Sequence, residues 1–328
     1  PSPRPPSTTP RPSRRQRQMC IRDRDRLDPL ISRHFSETAS AVLAGADTKP
    51  AQIRAIGSHG QTVWHEPDGP RPVSIQLGSP QLIAQASDIV TVGDFRRADI
   101  ESGGQGAPLA PLLHRALFQP EKGRRVVLNL GGIANISVLG DKGNVRGFDT
   151  GPANCLLDAW VRKCKGEPFD TDGAWAASGT ADPSLLEDMA RDEYFERPAP
   201  KSTGTEYFNI FWLERFIQNY NLSAANIQAT LAELTALTVA KAIEPFGPAD
   251  VIVCGGGIHN GYLMRRIETH LQGTAVCSTA EAGLDPDWVE AVLFAWLARE
   301  RLAGRSQDTR LITGAERPVL LGTIAEPA

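Results

Sequence analysis

The stretch GFDTGPANCLLD (147–158) decides how the rest of the chain is read. A strand-like run ends in Gly147-Phe148-Asp149-Thr150-Gly151, and an apolar run of helical spacing follows at once. A carboxylate is poorly placed in the middle of a strand that faces a core, because burying an ionised group without a partner is costly. At the mouth of a cleft the same carboxylate can take a proton. The simpler alternative is an Asp that shapes the turn before Thr-Gly. The flanking segments have to decide between a turn and a base.

Upstream, RRVVLNLGGIANISVLG (124–140) reads as two β runs around Gly131-Gly132, a hairpin signal. Glycines in a tight turn let backbone N–H groups approach an anion, although an ordinary hairpin turn is the simpler reading of this segment taken alone. Downstream, ADVIVCGGGIHNGYLMRRIETHL (249–271) is a strand, three glycines and a helix. Gly255, Gly256 and Gly257 allow a flat ring to lie against backbone near a helix N-terminus. A plain strand-to-helix turn explains them equally well. Neither segment is a P-loop or a GxGxxG fingerprint.

The chain has 328 residues, 41% hydrophobic and 22% charged, which is globular composition and long enough for two domains. Its net charge of -3 argues against a nucleic-acid partner. No apolar run reaches the roughly 18 residues of a membrane helix. Cys20, Cys155, Cys164, Cys254 and Cys277 are scattered without ligand spacing, which suits a reducing cytoplasm. Residues 1–25 are rich in Pro, Ser and Arg and are expected to be a disordered or non-native leader.

From residue 26 strands and helices alternate, so a mostly parallel, helix-covered α/β sheet is expected. Helical spacing covers 27–46, 79–87, 153–164, 227–246 and 288–302, and β runs cover 53–60, 73–78, 88–95 and 144–151. The polar, proline-containing segment 172–209 is expected to hold one short helix at most before Thr205. The first half carries polar loops at strand ends, SHGQT (58–62), DFRRADI (94–100) and GGQGAP (103–108), where open α/β sheets bind ligands. His59, Gln61, Thr62, Asp94 and Arg96 offer the donors and acceptors that a sugar needs. No second His or Cys cluster supports His59 or His65 as a metal ligand, and no metal-ligating set is expected.

A hairpin glycine turn, a strand ending in Asp and a triple glycine before a helix, in that order, resemble the second half of an actin-like sugar kinase. IGSHGQTVWH, DFRRADIESGGQGAPL, NLGGIANIS, GFDTGPANCLLD, KSTGTEYFN, VCGGGIHN and DWVEAVLFAWLA together resemble the anhydro-N-acetylmuramic acid kinase family. The resemblance implies a two-domain actin-like (ribonuclease H-like) fold with an interdomain cleft. It implies a first, sugar-binding domain over 26–123 and a second, nucleotide-binding domain over 124–328, with the last helix and tail returning to the first.

It also implies a cytoplasmic homodimer that uses ATP and Mg2+ to phosphorylate 1,6-anhydro-N-acetylmuramic acid while water opens the anhydro ring, in cell-wall sugar recycling. Carried over residue by residue, Asp149 is the base and Glu290 contacts the sugar. Gly131, Gly132 and Asn135 lie by the phosphates, and Gly255, Gly256, Gly257 and Asn260 by the adenosine.

Two features depart from the family pattern. Ala153 stands where the family has a second glycine in GPGN. The opening GxMSGTSxDG loop has no match before residue 53, so the chain as written is expected to be a poor kinase. The alternative to an active kinase is a non-catalytic chain that keeps a sugar or adenosine pocket. A chaperone-type actin-like ATPase fits less well, because no residues remain for a peptide-binding domain.

Overall fold

A computed structural model describes residues 14–67, 69–140, 144–247 and 249–327. The chain opens with helix α1 (Arg14–Gly45). Helix therefore begins ahead of residue 26, and the part of the expected leader over 1–13 lies outside the described residues. The first half continues with β1 (Ile56–Gly57), β2 (Gln61–Glu66), β3 (Val73–Leu77), α2 (Pro80–Ser87), β4 (Thr91–Gly93), α3 (Arg97–Glu101) and α4 (Ala110–Phe118). Of the run 53–60 only two residues pair as strand, and Gln61 and Thr62 lie in β2 rather than in a loop. Pro80 at the first turn of α2 supplies the fixed φ that starts that helix, as read from the sequence.

The second half contains β5 (Arg125–Leu130), β6 (Ile133–Leu139), β7 (Val145–Pro152) and α5 (Asn154–Lys165). Gly166, with φ of 74°, ends α5 in the left-handed region, and Arg162, Lys163 and Lys165 complement its C-terminal dipole. Then come α6 (Ala174–Ala177), α7 (Pro183–Ala190), α8 (Glu193–Glu196), α9 (Ile210–Ile217) and the long α10 (Ala224–Ile243). The expectation of one short helix at most within 172–209 is wrong. Leu185, Met189 and Tyr194 are fully buried there, and tertiary packing sustains turns that composition does not reveal. The chain closes with β8 (Asp250–Cys254), α11 (Gly261–His270), β9 (Val276–Ser278), α12 (Val289–Leu302) and β10 (Thr323–Ala325).

The larger sheet has five strands in the order β7-β6-β5-β8-β9. β5 pairs antiparallel with β6 and β6 with β7, whereas β8 is parallel to β5 and β9 to β8. Three antiparallel strands extended by two parallel ones is the ribonuclease H-like arrangement, within the expected α/β class. A second sheet of three strands, β1-β4-β10, pairs β4 parallel to β1 and antiparallel to β10, so the end of the chain returns to its first half. β2 and β3 form a separate two-stranded ribbon.

Alternation along the strands sends side chains to two cores. Val126, Leu128, Leu130, Ala134, Ile136, Phe148 and Val253 pack with α5, α10 and α11. Val127, Leu139, Val145, Ile252 and Cys254 pack on the opposite face with Leu112 and Leu113 of α4 and Leu293, Phe294 and Leu297 of α12. Val92 of the smaller sheet and Phe95 just beyond β4 join that second core, so α4 and α12 are the shared layer between the sheets. α12 lies directly on β1: a Cβ added at Gly57 would meet the Phe294 carbonyl oxygen at 2.0 Å. No helix among the described residues is long and apolar enough to cross a membrane.

Candidate active site

Register brings the polar residues of the larger sheet into one row. Asn129 pairs with Cys254 on one side and with Asn135 on the other, and Asn135 pairs with Asp149 after an irregularity at Ala134/Asn135. The neighbours of these residues face the α5–α10 core, so by alternation the row faces the shared α4–α12 layer. Asn135 therefore sits within β6 beside Asp149, not in the glycine turn itself. Its Oδ1 is buried without a partner in this structure. Asn129, which sequence reading passed over, belongs to the same row; its Oδ1 accepts a hydrogen bond from the Cys254 thiol at 3.7 Å.

Asp149 is 7% exposed and held from three directions. Its backbone N–H donates to the Lys201 carbonyl at 3.1 Å, and its carbonyl accepts the Tyr194 hydroxyl at 2.7 Å. Its Oδ2 accepts the Thr203 N–H at 2.9 Å. The KSTGTEYFN segment (201–209) thus lies along the open edge of β7 and fixes the carboxylate. Burial raises the Asp149 pKa to about 7, opposed by the Thr203 N–H, Arg96 and Lys201 and assisted by Glu206. A carboxyl poised there can act as a base near neutrality. Tyr194, Lys201 and Thr203 were missed as site-shaping residues; the polar KSTGT run was the available signal for Lys201 and Thr203.

Arg96 stands just before α3. It lies within electrostatic reach of Asp149 and Glu290, and both favour its charged form against the pull of burial. Its Nε and Nη2 lie 3.1 and 2.9 Å from His59 Nε2, and Nη1 donates to the Gly106 carbonyl at 3.4 Å. Glu290 is exposed in the first turn of α12. His59, Arg96, Asp149 and Glu290 therefore form one group drawn from both halves of the chain.

Next to it lies a cavity of about 530 Å³ lined by Ser58, His59, Ser74, Gln76 and Asp94. Asp94 has φ of 54° and pairs with Arg97 at 2.9 Å, and burial raises its pKa. Thr62 adjoins this wall through its hydroxyl, which accepts from Gln76 Nε2 at 3.2 Å. Gln61 is exposed, with its amide donating to the Thr62 carbonyl, and stands apart from the group. Asp99, also passed over in DFRRADI, is wholly buried. Its Oδ1 accepts the hydroxyls of Thr309 and Thr313, and its Oδ2 the Gly106 N–H.

At the head of the larger sheet the Gly131-Gly132 turn is tied back by its carbonyls. Gly132 accepts from the N–H groups of Ala153 and Cys155, and Gly131 from the Asn154 N–H and its side-chain amide. The N–H groups of Asn154 and Cys155, the first two of α5, are thereby bonded to the turn. Gly255, Gly256 and Gly257 differ from one another. Side chains at Gly255 and Gly257 would run into Leu130, with its carbonyl oxygen at 2.9 Å from each added Cβ, whereas Gly256 faces open space. The Asn260 side chain caps α11 by accepting the Leu263 N–H at 3.0 Å. Among the described residues no three His, Cys, Asp or Glu side chains are grouped to hold a metal ion.

The family model described as anhydro-N-acetylmuramic acid kinase matches residues 12–327. The anhydro-N-acetylmuramic acid kinase of Vibrio cholerae serotype O1 is 46% identical over 296 residues, 89% of this chain and 80% of that protein. The enzyme of the same name from Xanthomonas axonopodis pv. citri is 48% identical over 300 residues, 91% of this chain and 80% of its own. A ROK hexokinase structure from Thermus thermophilus is a remote likeness, with a TM-score of 0.33 and 17% identity over 82% of this chain and 86% of that one. On a match that spans nearly the whole chain and relatives approaching half identity, the chain belongs to the anhydro-N-acetylmuramic acid kinase family.

Proposed function

We propose that the chain phosphorylates 1,6-anhydro-N-acetylmuramic acid with ATP while water opens the anhydro ring, giving N-acetylmuramic acid 6-phosphate. The single observation that carries the reading is Asp149: a buried carboxylate with pKa raised to about 7, held rigidly at the edge of β7 and facing Arg96. In the proposed step a water molecule gives one proton to Asp149 and its oxygen bonds to the anomeric carbon. The bond from that carbon to O6 breaks, O6 bonds to the γ-phosphorus, and ADP leaves.

Arg96 and Glu290 hold the sugar, with His59, Thr62 and Asp94 forming the wall beside it. Gly131 and Gly132 meet the phosphates, and the open face at Gly256 takes the adenosine. Magnesium fits as an ion that arrives on the ATP phosphates, since it commonly keeps its waters and needs one or two carboxylates rather than a cage. Glu206, exposed and within electrostatic reach of Asp149, would be the carboxylate to join it. When bound, the ion neutralises charge on the phosphates. The family resemblance further supports a cytoplasmic homodimer and a division near residue 124 into sugar and nucleotide domains.

The test is to incubate the chain with ATP, magnesium and the anhydro-sugar in 18O-labelled water. The reading requires ADP and a sugar 6-phosphate carrying the label on its anomeric oxygen. ADP without labelled sugar phosphate would overturn it.

A further inference from the structure

Arg96 is within electrostatic reach of both Asp149 and Glu290, so its direction decides what the group can do. A guanidinium has five N–H donors and no acceptor. Two of its nitrogens, Nε at 3.1 Å and Nη2 at 2.9 Å, converge on His59 Nε2. That nitrogen must therefore carry a lone pair, and the proton of the neutral ring must sit on Nδ1. The ring is fixed from its face as well: it stacks on Phe294 with centroids 4.6 Å apart and 26° between planes. Phe294 lies one helical turn from Glu290 on α12 and also meets Phe95, the residue before Arg96, at 5.4 Å.

We infer that His59 is a positioning residue, a permanently neutral acceptor that aims the Arg96 guanidinium between Asp149 and Glu290, and not itself a ligand of the sugar. The inference deepens the function proposed above and rests on it for its kinetic arm. Burial first and Arg96 second lower the His59 pKa to about 3, and a hydrogen bond with the Gly60 backbone works the other way. Protonation would replace the lone pair with a donor facing a cation. Without His59, Arg96 is free to close on a carboxylate. The charged groups that face Asp149 are Arg96, Lys201 and Glu206, and those that face Arg96 are Asp149 and Glu290. A closer Arg96 favours the ionised base and pulls its pKa down.

The experiment has two arms, both on the full chain. In the first, 15N NMR of the histidines, with His59 assigned by loss of its signal in His59→Gln, follows the ring from about pH 5 to about pH 8. The neutral Nδ1–H tautomer throughout is expected; an imidazolium at about pH 6, or a proton on Nε2, overturns the inference. This arm stands even if the chain transfers no phosphate to the anhydro-sugar, an outcome that would remove the proposed function alone.

In the second arm, His59→Ala is expected to lower kcat/KM for the sugar about 10- to 100-fold, the scale of a hydrogen bond to a charged group. ATP affinity should be unchanged and the acidic limb of the pH profile should move to lower pH. His59→Gln, which keeps an acceptor, should recover most of the rate and restore the limb. Equal losses in the two variants, with the limb unmoved, would mean that His59 acts by packing or by touching the sugar directly.

Discussion

The two sheets are held together in different ways. In the larger sheet the half that carries Asp149 is built locally: β5, β6 and β7 follow one another in sequence and pair in that order, and α5 at once ties the Gly131-Gly132 turn, while β8 joins the other side of β5 from much later in the chain. The smaller sheet is closed by β10, whose Thr323, Ile324 and Ala325 pair with Gly93, Val92 and Thr91. The 94–108 segment that follows β4 is pinned in the same non-local way. Thr309 donates its hydroxyl to Asp99, 210 residues away, and the Gln105 N–H donates to the Thr313 carbonyl. A locally built region keeps its shape when one functional side chain is changed. A region closed by distant contacts has its fold and its site in the same residues. Point changes should therefore separate chemistry from stability in the larger sheet and confound them in the smaller.

The largest effect is expected at the proposed base. Asp149→Asn keeps size and the Thr203 contact but cannot take the proton, so turnover should fall by about 10²- to 10⁴-fold, with the sugar dissociation constant changing far less. In the parent, kcat/KM should decline as pH drops through about 7, where Asp149 becomes protonated. Stability should move the other way. The folded pKa is raised from the ordinary 3.8 to about 7, so the protonated form favours the fold. That contribution is complete below the unfolded value and is lost as pH rises through the folded one. At about pH 8 Asp149→Asn should exceed the parent by on the order of 2–4 kcal/mol in chemical denaturation, a difference that narrows in acid. Near-normal turnover would take Asp149 out of the mechanism. Lower stability at alkaline pH would show that the strand edge depends on the charge, and would break the contrast between the sheets.

In the half of the chain that holds the smaller sheet, the matching change is Asp99→Ala in α3. The carboxylate is wholly buried and satisfies two hydroxyls and an N–H. Removing it strands those donors, each at a cost of about 1–3 kcal/mol, so a loss of roughly 3 kcal/mol or more is expected. Sugar affinity should fall in step with stability, because the same side chain pins Gly106, whose carbonyl accepts from Arg96. A thermal melt paired with sugar-binding calorimetry checks this. A variant that binds sugar weakly while melting like the parent would place Asp99 in the site itself.

This contrast also sets what could be read from sequence. The glycine turn at 131–132, the strand carrying Asp149 and the triple glycine before α11 are local patterns, and each lies where spacing places it. His59, Arg96 and Asp149 were named from short polar motifs and Glu290 from the family resemblance, and the fold brings them together. β10 was not legible, because Thr-Ile-Ala is too short for a period and its partner lies far upstream. α7 and α8 were hidden by prolines and charge, though Leu185 buries completely once α10 is beside α7, and Tyr194 against Phe208 and the edge of β7. Asp99 reads as one more loop carboxylate until Thr309 and Thr313 arrive from the tail. Gln61 was grouped with Thr62 by adjacency, and strand alternation sends the two apart.

The smallest effects should come from neighbouring glycines, and they test how closely the turn after β8 is fitted to the end of β5. A Cβ at Gly257 would meet Leu130 Cβ at 2.6 Å and its carbonyl oxygen at 2.9 Å, so Gly257→Ala forces the β5 end or α11 to shift. Overpacking of this kind costs about 1–3 kcal/mol. At Gly256 an added methyl meets nothing within 4 Å, and Gly256→Ala should leave stability within about 0.5 kcal/mol of the parent. That open space is where the adenosine is proposed to lie, so the same methyl should weaken ATP binding by about tenfold while sugar affinity holds. Melting curves and separate calorimetric titrations with ATP and sugar decide it. ATP binding at full strength in Gly256→Ala would move the nucleotide away from the triple glycine and leave those residues with a packing role alone.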